Sequence, residues 1–131
     1  MRLLAHCANE SRLATPENGV ALRSHIKQRA DKGDREAILM LRGPGVPDRV
    51  AHLWEWFLEL NAGRRVGMNG AEPLAFVDID AWQRLTDRCV APREIHGLMA
   101  MDRAWRYPAS IEIDWDAVAE DRDDDDDGSY C

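Results

Sequence analysis

Leu53-Trp54-Glu55-Trp56-Phe57-Leu58-Glu59-Leu60, followed at once by Asn61-Ala62-Gly63-Arg64-Arg65, decides how this chain folds. At roughly 100° per residue, Val50, Leu53, Phe57 and Leu60 fall on one stripe, with Trp54 on one flank and Trp56 on the other. The resulting apolar arc is about 160°, wider than the roughly 100° that rests on one neighbour. This helix is therefore expected to pack on two sides and to be the central one. Pro47 opens it, at a position where proline loses nothing, and Gly63 ends it.

Two more segments of the same kind lie downstream. Asn61 to Pro73 reads as a loop, with Gly67, Asn69, Gly70 and Pro73 as its breakers. Phe76, Ile79, Trp82 and Leu85 then mark a short helix ending near Thr86. Ala91-Pro92-Arg93-Glu94 starts a last helix with Ile95, Leu98, Met99 and Trp105 on one face, stopped by Pro108. Upstream, Thr15-Pro16-Glu17 predicts a helix start, and Val20, Leu22, Ile26 and Ala30 give it a weak apolar side up to Asp31-Lys32-Gly33. Asp34 can cap a further short helix carrying Ala37, Ile38 and Leu41. Gly43-Pro44-Gly45-Val46-Pro47 breaks the chain before the central helix. Residues 1–14 show no clear period and are expected to form an arm.

The fold expected is thus all-α: a small bundle of about five short helices around a central tryptophan-rich helix. Residues 15–108 make the helical domain, divided into an N-terminal pair (15–43) and a tryptophan-rich core (47–108). Four of the five tryptophans lie in that core. Its expected interior comprises Leu53, Phe57, Leu60, Ile79, Trp82, Leu85, Ile95, Asp102 and Trp105. Beyond Pro108, Ile111, Ile113 and Trp115 alternate with acids like a strand too short to trust. Asp121 to Asp127 has no apolar content, so residues 109–131 are expected to be an acidic, disordered tail.

Charge and cysteine usage narrow the function. The net charge is −7 over 131 residues, with 8 basic and 5 acidic groups in residues 1–46, 8 and 9 in 47–108, and 1 and 10 in 109–131. The acidity belongs to the tail, and neither a nucleic-acid patch nor a basic membrane face emerges from the balance. No apolar run approaches the roughly 20 residues of a membrane helix, and the first residues turn polar too soon for a signal peptide. Cys7, Cys89 and Cys131 are far apart with no CxxC pair, which argues against a disulfide framework or zinc site and for the reducing cytoplasm.

No constellation for chemistry emerges. His6, His25, His52 and His96 lack ligand spacing, so neither metal nor cofactor is expected. Cys89 reads as a small hydrophobe rather than a nucleophile. The aspartate run lacks the alternation and closing bidentate acid of a calcium loop. Asp102 stands out, since its spacing from Ile95, Leu98 and Met99 sets it mid-stripe on an apolar face. A carboxylate there must be paired, with an indole N–H or with Arg64, Arg65 or Arg84. A catalytic acid would need a second titratable group, and none is placed beside it. The protein is therefore read as non-enzymatic, with Trp54, Trp56, Arg64 and Arg65 as partner-binding residues, because aromatics and arginine dominate binding energy. The alternative is a small DNA-associated regulator using a helix-turn-helix-like segment at 76–106. Its second helix offers few side chains for base edges, which disfavours nucleic acid.

The order Leu-Trp-x-Trp-Phe-x-Glu-Leu-x-Ala-Gly-Arg, then Pro-Leu, Ile-x-Ala-Trp-x-Arg-Leu-Thr, Pro-x-Glu-Ile and Met-Asp-x-Ala-Trp resembles the tail assembly chaperones of long-tailed phages and prophages over about residues 22–106. Trp54, Trp56, Phe57, Leu60, Arg64, Trp82, Leu85 and Asp102 stand where that family has its signature. Ala75 departs from it, replacing a serine or threonine that would complete a capping box with Asp78, so this helix start should be weaker. The aspartate tail lies outside the pattern. The resemblance implies a chaperone of virion morphogenesis that holds the tape measure protein in the host cytoplasm. It also implies contact with the major tail (tube) protein and self-association.

Overall fold

α4 (Ala51–Ala62), entered through a 3-10 turn at Asp48–Val50, is the axis of the fold. In the computed structural model, residues 2–17 and 20–120 are described. Leu53, Phe57 and Leu60 point inward from α4, and Phe57 is fully buried. α1 (Arg2–Ala14) and α6 (Pro92–Arg106) lie alongside one another, tied by Ser11 Oγ donating to the Trp105 carbonyl at 2.5 Å. α5 (Phe76–Leu85) closes the other side of α4. The main core joins Leu3 and Cys7 of α1, the three α4 residues, Leu74 and Ile79, and Leu98, Met101 and Ala104 of α6. Trp82, Ile95 and Trp105, expected in the interior, are half-buried against it.

α2 (Leu22–Asp31) and α3 (Arg35–Arg42) form the N-terminal pair around a smaller core of Leu13, Ile26 and Ala37. Asp34 caps α3, accepting the Ala37 N–H at 3.3 Å, while Arg29 forks onto its second oxygen at 2.9 and 2.7 Å. The Arg29 guanidinium, and then the Ala37 amide, hold this carboxyl below its usual range. Because α1 supplies Leu3 and Cys7 to one core and Leu13 to the other, it binds the two halves of the domain together.

The all-α architecture expected from the sequence is what the chain forms, but at several positions the details differ. Residues 2–14 are not an arm. They are α1, whose inner face is built from Ala5, Cys7, Ala8 and Asn9 between the leucines, too mildly apolar to register as a stripe. Asn9 is buried and donates to the Met40 carbonyl at 2.9 Å, one of the carbonyls left open at the end of α3. Gly43 makes this approach feasible: its φ is +62°, and a Cβ there would stand 2.3 Å from Asn9 Nδ2. Thr15-Pro16-Glu17 does not start a helix either. Pro16–Glu17 (β1) pairs antiparallel with Val20–Ala21 (β2), and α2 begins only at Leu22. Asn61 to Pro73 holds a second small hairpin, Val66–Gly67 (β3) with Gly70–Ala71 (β4).

Residues 109–120, expected to belong to the tail, carry secondary structure. A 3-10 turn at Pro108–Ser110 leads to Ile111, half-buried on the core, and residues 115–120 are helical (α7). Asp114 caps that helix by accepting the Ala117 N–H at 3.1 Å, and Val118 is buried. An aspartate read as one of the acids of a strand-like alternation is thus a cap, and the apolar residues beyond it have a surface to meet. The rest of the expected tail, residues 121–131, lies outside the described residues. With α1 and α7 added, the described residues hold more helices than the five expected.

Candidate partner-binding surface

Asp102 sets the geometry around which the surface is built. It is 1% exposed, and its carboxylate meets Arg64 Nη2 at 2.5 Å, Arg106 Nε at 2.9 Å and the Leu74 N–H at 3.2 Å. Arg64 is the second node. Its Nε donates to Asn61 Oδ1 at 2.7 Å, at the end of α4, and its Nη1 to the Glu72 carbonyl at 2.8 Å, just past the β3–β4 hairpin. One buried carboxylate therefore fixes α6, the hairpin arm and the approach to α5. Two guanidinium groups and a backbone donor offset its burial, as an isolated carboxylate could not be offset, although the Arg64 Nη2–Oδ1 contact is an ion pair without hydrogen-bond geometry.

Arg64, expected to bind a partner, has a side chain only 6% exposed and is engaged with Asp102. Arg65 does face solvent, where it pairs with Asp78 at 2.7 Å. The other oxygen of Asp78 accepts the Ala75 N–H at 2.8 Å, which is half of a capping box, since Ala75 has no oxygen to return the bond. Arg106, four residues after Asp102 on the same helix face, was not anticipated, although that spacing is where opposite charges meet on a helix.

Trp54 and Trp56 occupy different surroundings, and both are half-buried. Trp54 packs on the His6 ring of α1, centroids 4.5 Å apart, and stacks near Phe57 at 5.9 Å. Trp56 packs between His52 at 4.9 Å and Trp82 at 5.6 Å. The Arg88 guanidinium lies 5.9 Å from the Trp56 ring and 5.5 Å from that of Trp82, and pairs with Glu59 at 3.0 Å. His52 Nε2 also reaches Glu94 Oε2 at 2.7 Å. The Ala91 amide on its other oxygen, and then His52, hold the Glu94 carboxyl below its usual range.

Beside this aromatic cluster, a groove of about 320 Å³ runs between the end of α4 and α5. Its walls include Leu60, Arg65, Leu74, Ala81, Trp82 and Leu85. Leu85 was expected in the core and is instead 86% exposed. It is the last residue of α5, past the turn that rests on α4, and it lies on the groove's edge. Val66, Met68, Phe76, Val77 and Leu85 are five of the eight large apolar side chains exposed among the described residues. All five sit on the hairpin or on α5. Val77, Ala81 and Leu85 recur every four residues, so α5 carries a second apolar stripe besides the Ile79 side that enters the core. That spacing was present in the sequence but was absorbed into one stripe running from Phe76 to Leu85.

Among the described residues no three His, Cys, Asp or Glu side chains gather as metal ligands, and no helix is long and apolar enough to cross a membrane. A phage tail assembly chaperone family model matches residues 29–107, more than half of the chain. The chain belongs to the phage tail assembly chaperone family. The match runs from the end of α2 through α6 and takes in the whole Asp102 network, the aromatic cluster and the groove. It leaves out α1, which this tail assembly chaperone nonetheless uses to complete its core. Neither a curated protein nor a solved structure matches the chain.

Proposed function

We propose that the protein is a non-enzymatic chaperone that binds the tape measure protein in the host cytoplasm and assists assembly of the tail tube. The contact surface is the α4–α5 groove with its apolar rim. The observation that carries this reading is a groove edged by the exposed Leu85, with Val66, Met68, Phe76 and Val77 also exposed on the hairpin and on α5, in a chain that matches this family. A contiguous apolar patch on a small domain marks a contact surface. A helix of the partner, with apolar side chains at every third or fourth residue, suits a groove flanked by the outer stripe of α5. The nearby charges are already paired within the chain, Arg65 with Asp78 and Arg88 with Glu59, so they frame the groove without demanding charge from the partner. Trp56 and Arg65 border this surface, whereas Trp54 faces α1 and is assigned to the core side.

Co-expression with the tape measure protein tests the proposal. The parent chain should keep that protein soluble, and the double variant Val77→Ser/Leu85→Ser, at exposed positions, should stay folded and lose the effect. Equal soluble yield with folded parent and folded variant would refute the groove as the binding surface.

A further inference from the structure

The outer face of α6 is chemically unlike the groove. Arg93, His96, Ala100, Arg103 and Tyr107 follow one another at three- and four-residue intervals, and all five are exposed. None of the Arg93, His96 and Arg103 side chains makes an ion pair or hydrogen bond among the described residues. The acids of α6 are engaged elsewhere: Glu94 with His52 and the Ala91 amide, Asp102 in the buried network. Arg106 is held over the Tyr107 ring at 5.1 Å while its Nε pairs with Asp102. This face is basic in a chain whose net charge is −7.

A cleft of about 320 Å³ opens beside it, where the chain turns through Pro108–Ser110. Its lining divides into two kinds. His96, Arg103 and Arg106 supply positive or hydrogen-bonding groups, and Met99, Ala100 and Ile111 supply an apolar floor. Such a cleft suits an apolar side chain flanked by carboxylates. Bidentate, charge-assisted hydrogen bonds to arginine would give the contact its selectivity.

We infer that the outer face of α6 is a second interaction surface, whose partner is an acidic amphipathic protein segment that seats an apolar side chain against Met99 and Ile111 and its carboxylates on Arg103 and His96. A nucleic acid would use the same cations, but three observations favour protein. The cations are few, the cleft between them is apolar, and the chain as a whole is negative and would repel a long polyanion. The surface is distinct from the α4–α5 groove, so this inference stands whether or not the groove binds the tape measure protein.

The test uses the full chain and three fluorescent probes. The first is a helical peptide with leucine and glutamate at alternating three- and four-residue spacing, the second its glutamine counterpart, and the third a short DNA duplex. The glutamate peptide should bind, and its affinity should fall about tenfold as salt rises from about 0.05 M to about 0.3 M. Amide shifts on binding should map to Arg93–Tyr107 and Ile111. Arg103→Glu should weaken the peptide at least tenfold with the melting temperature unchanged, because Arg103 holds nothing else in place, and Arg103→Lys should restore part of the loss. Equal binding of the glutamine peptide, equal binding by Arg103→Glu, or tighter binding of DNA than of the acidic peptide would each overturn the inference.

Discussion

Asp102 ties α6 to the chain on either side of the β3–β4 hairpin, and its partners decide what a substitution there does. Asp102→Ala strands Arg64 and Arg106 beside a buried void and should destabilise the domain by about 3–5 kcal/mol in urea unfolding. Asp102→Asn should also destabilise, because its single amide oxygen can accept from one guanidinium while both positive charges lose their counterion; a loss below about 0.5 kcal/mol for either variant would contradict the network. That a buried carboxylate needed partners was legible from its place on an apolar face, and Arg64 was among the candidates. That both partners are arginines was not legible, since their meeting depends on how the hairpin arm folds back onto α6. Cys7 gives a second test at this scale. Burial, and then Glu10, push its thiol up to about 12. In the native chain at about pH 8, Cys7 should resist a thiol reagent that modifies exposed Cys89, and should react only on unfolding.

The helices show where local sequence suffices and where it does not. α4 and α6 were legible because their apolar spacing is wide and their ends carry proline or glycine. α1 was not, because small residues and a buried asparagine make its inner face, and only packing on α6 reveals it. α7 was hidden by a strand-like alternation of apolar and acidic residues in which one acid, Asp114, is a cap. On α5, two apolar stripes merged into one along the sequence, which put Leu85 inside and concealed the groove's edge. The half-formed capping boxes of α5 and α6 are open to direct improvement. Ala75→Thr adds the missing acceptor at a position with φ −105° and ψ 162°, already extended. It should raise stability by about 1 kcal/mol in urea unfolding. Glu94 ties the start of α6 to His52 of α4. Since folding lowers its carboxyl below the usual 4.5, its contribution is present above that range and is lost as pH falls through the folded value. Acid unfolding of Glu94→Gln should accordingly depend less steeply on pH than that of the parent.

At the scale of the whole molecule, two cores share one helix, and the described surface divides into an apolar groove at α4–α5 and a basic face on α6. Removing residues 1–14 should abolish cooperative unfolding rather than trim an arm, because Leu3, Cys7 and Leu13 leave both cores at once. A melting transition preserved in that truncated chain would show that α1 is dispensable. The central claim is that a tail assembly chaperone grips its partner through the groove and the outer stripe of α5. The most direct measurement is an amide NMR titration of the labelled full chain with helical fragments of the tape measure protein. The account predicts shifts concentrated in the 66–71 hairpin and along Val77, Ala81 and Leu85, little changed by salt. Shifts that leave α5 and the hairpin untouched while a fragment binds would contradict it.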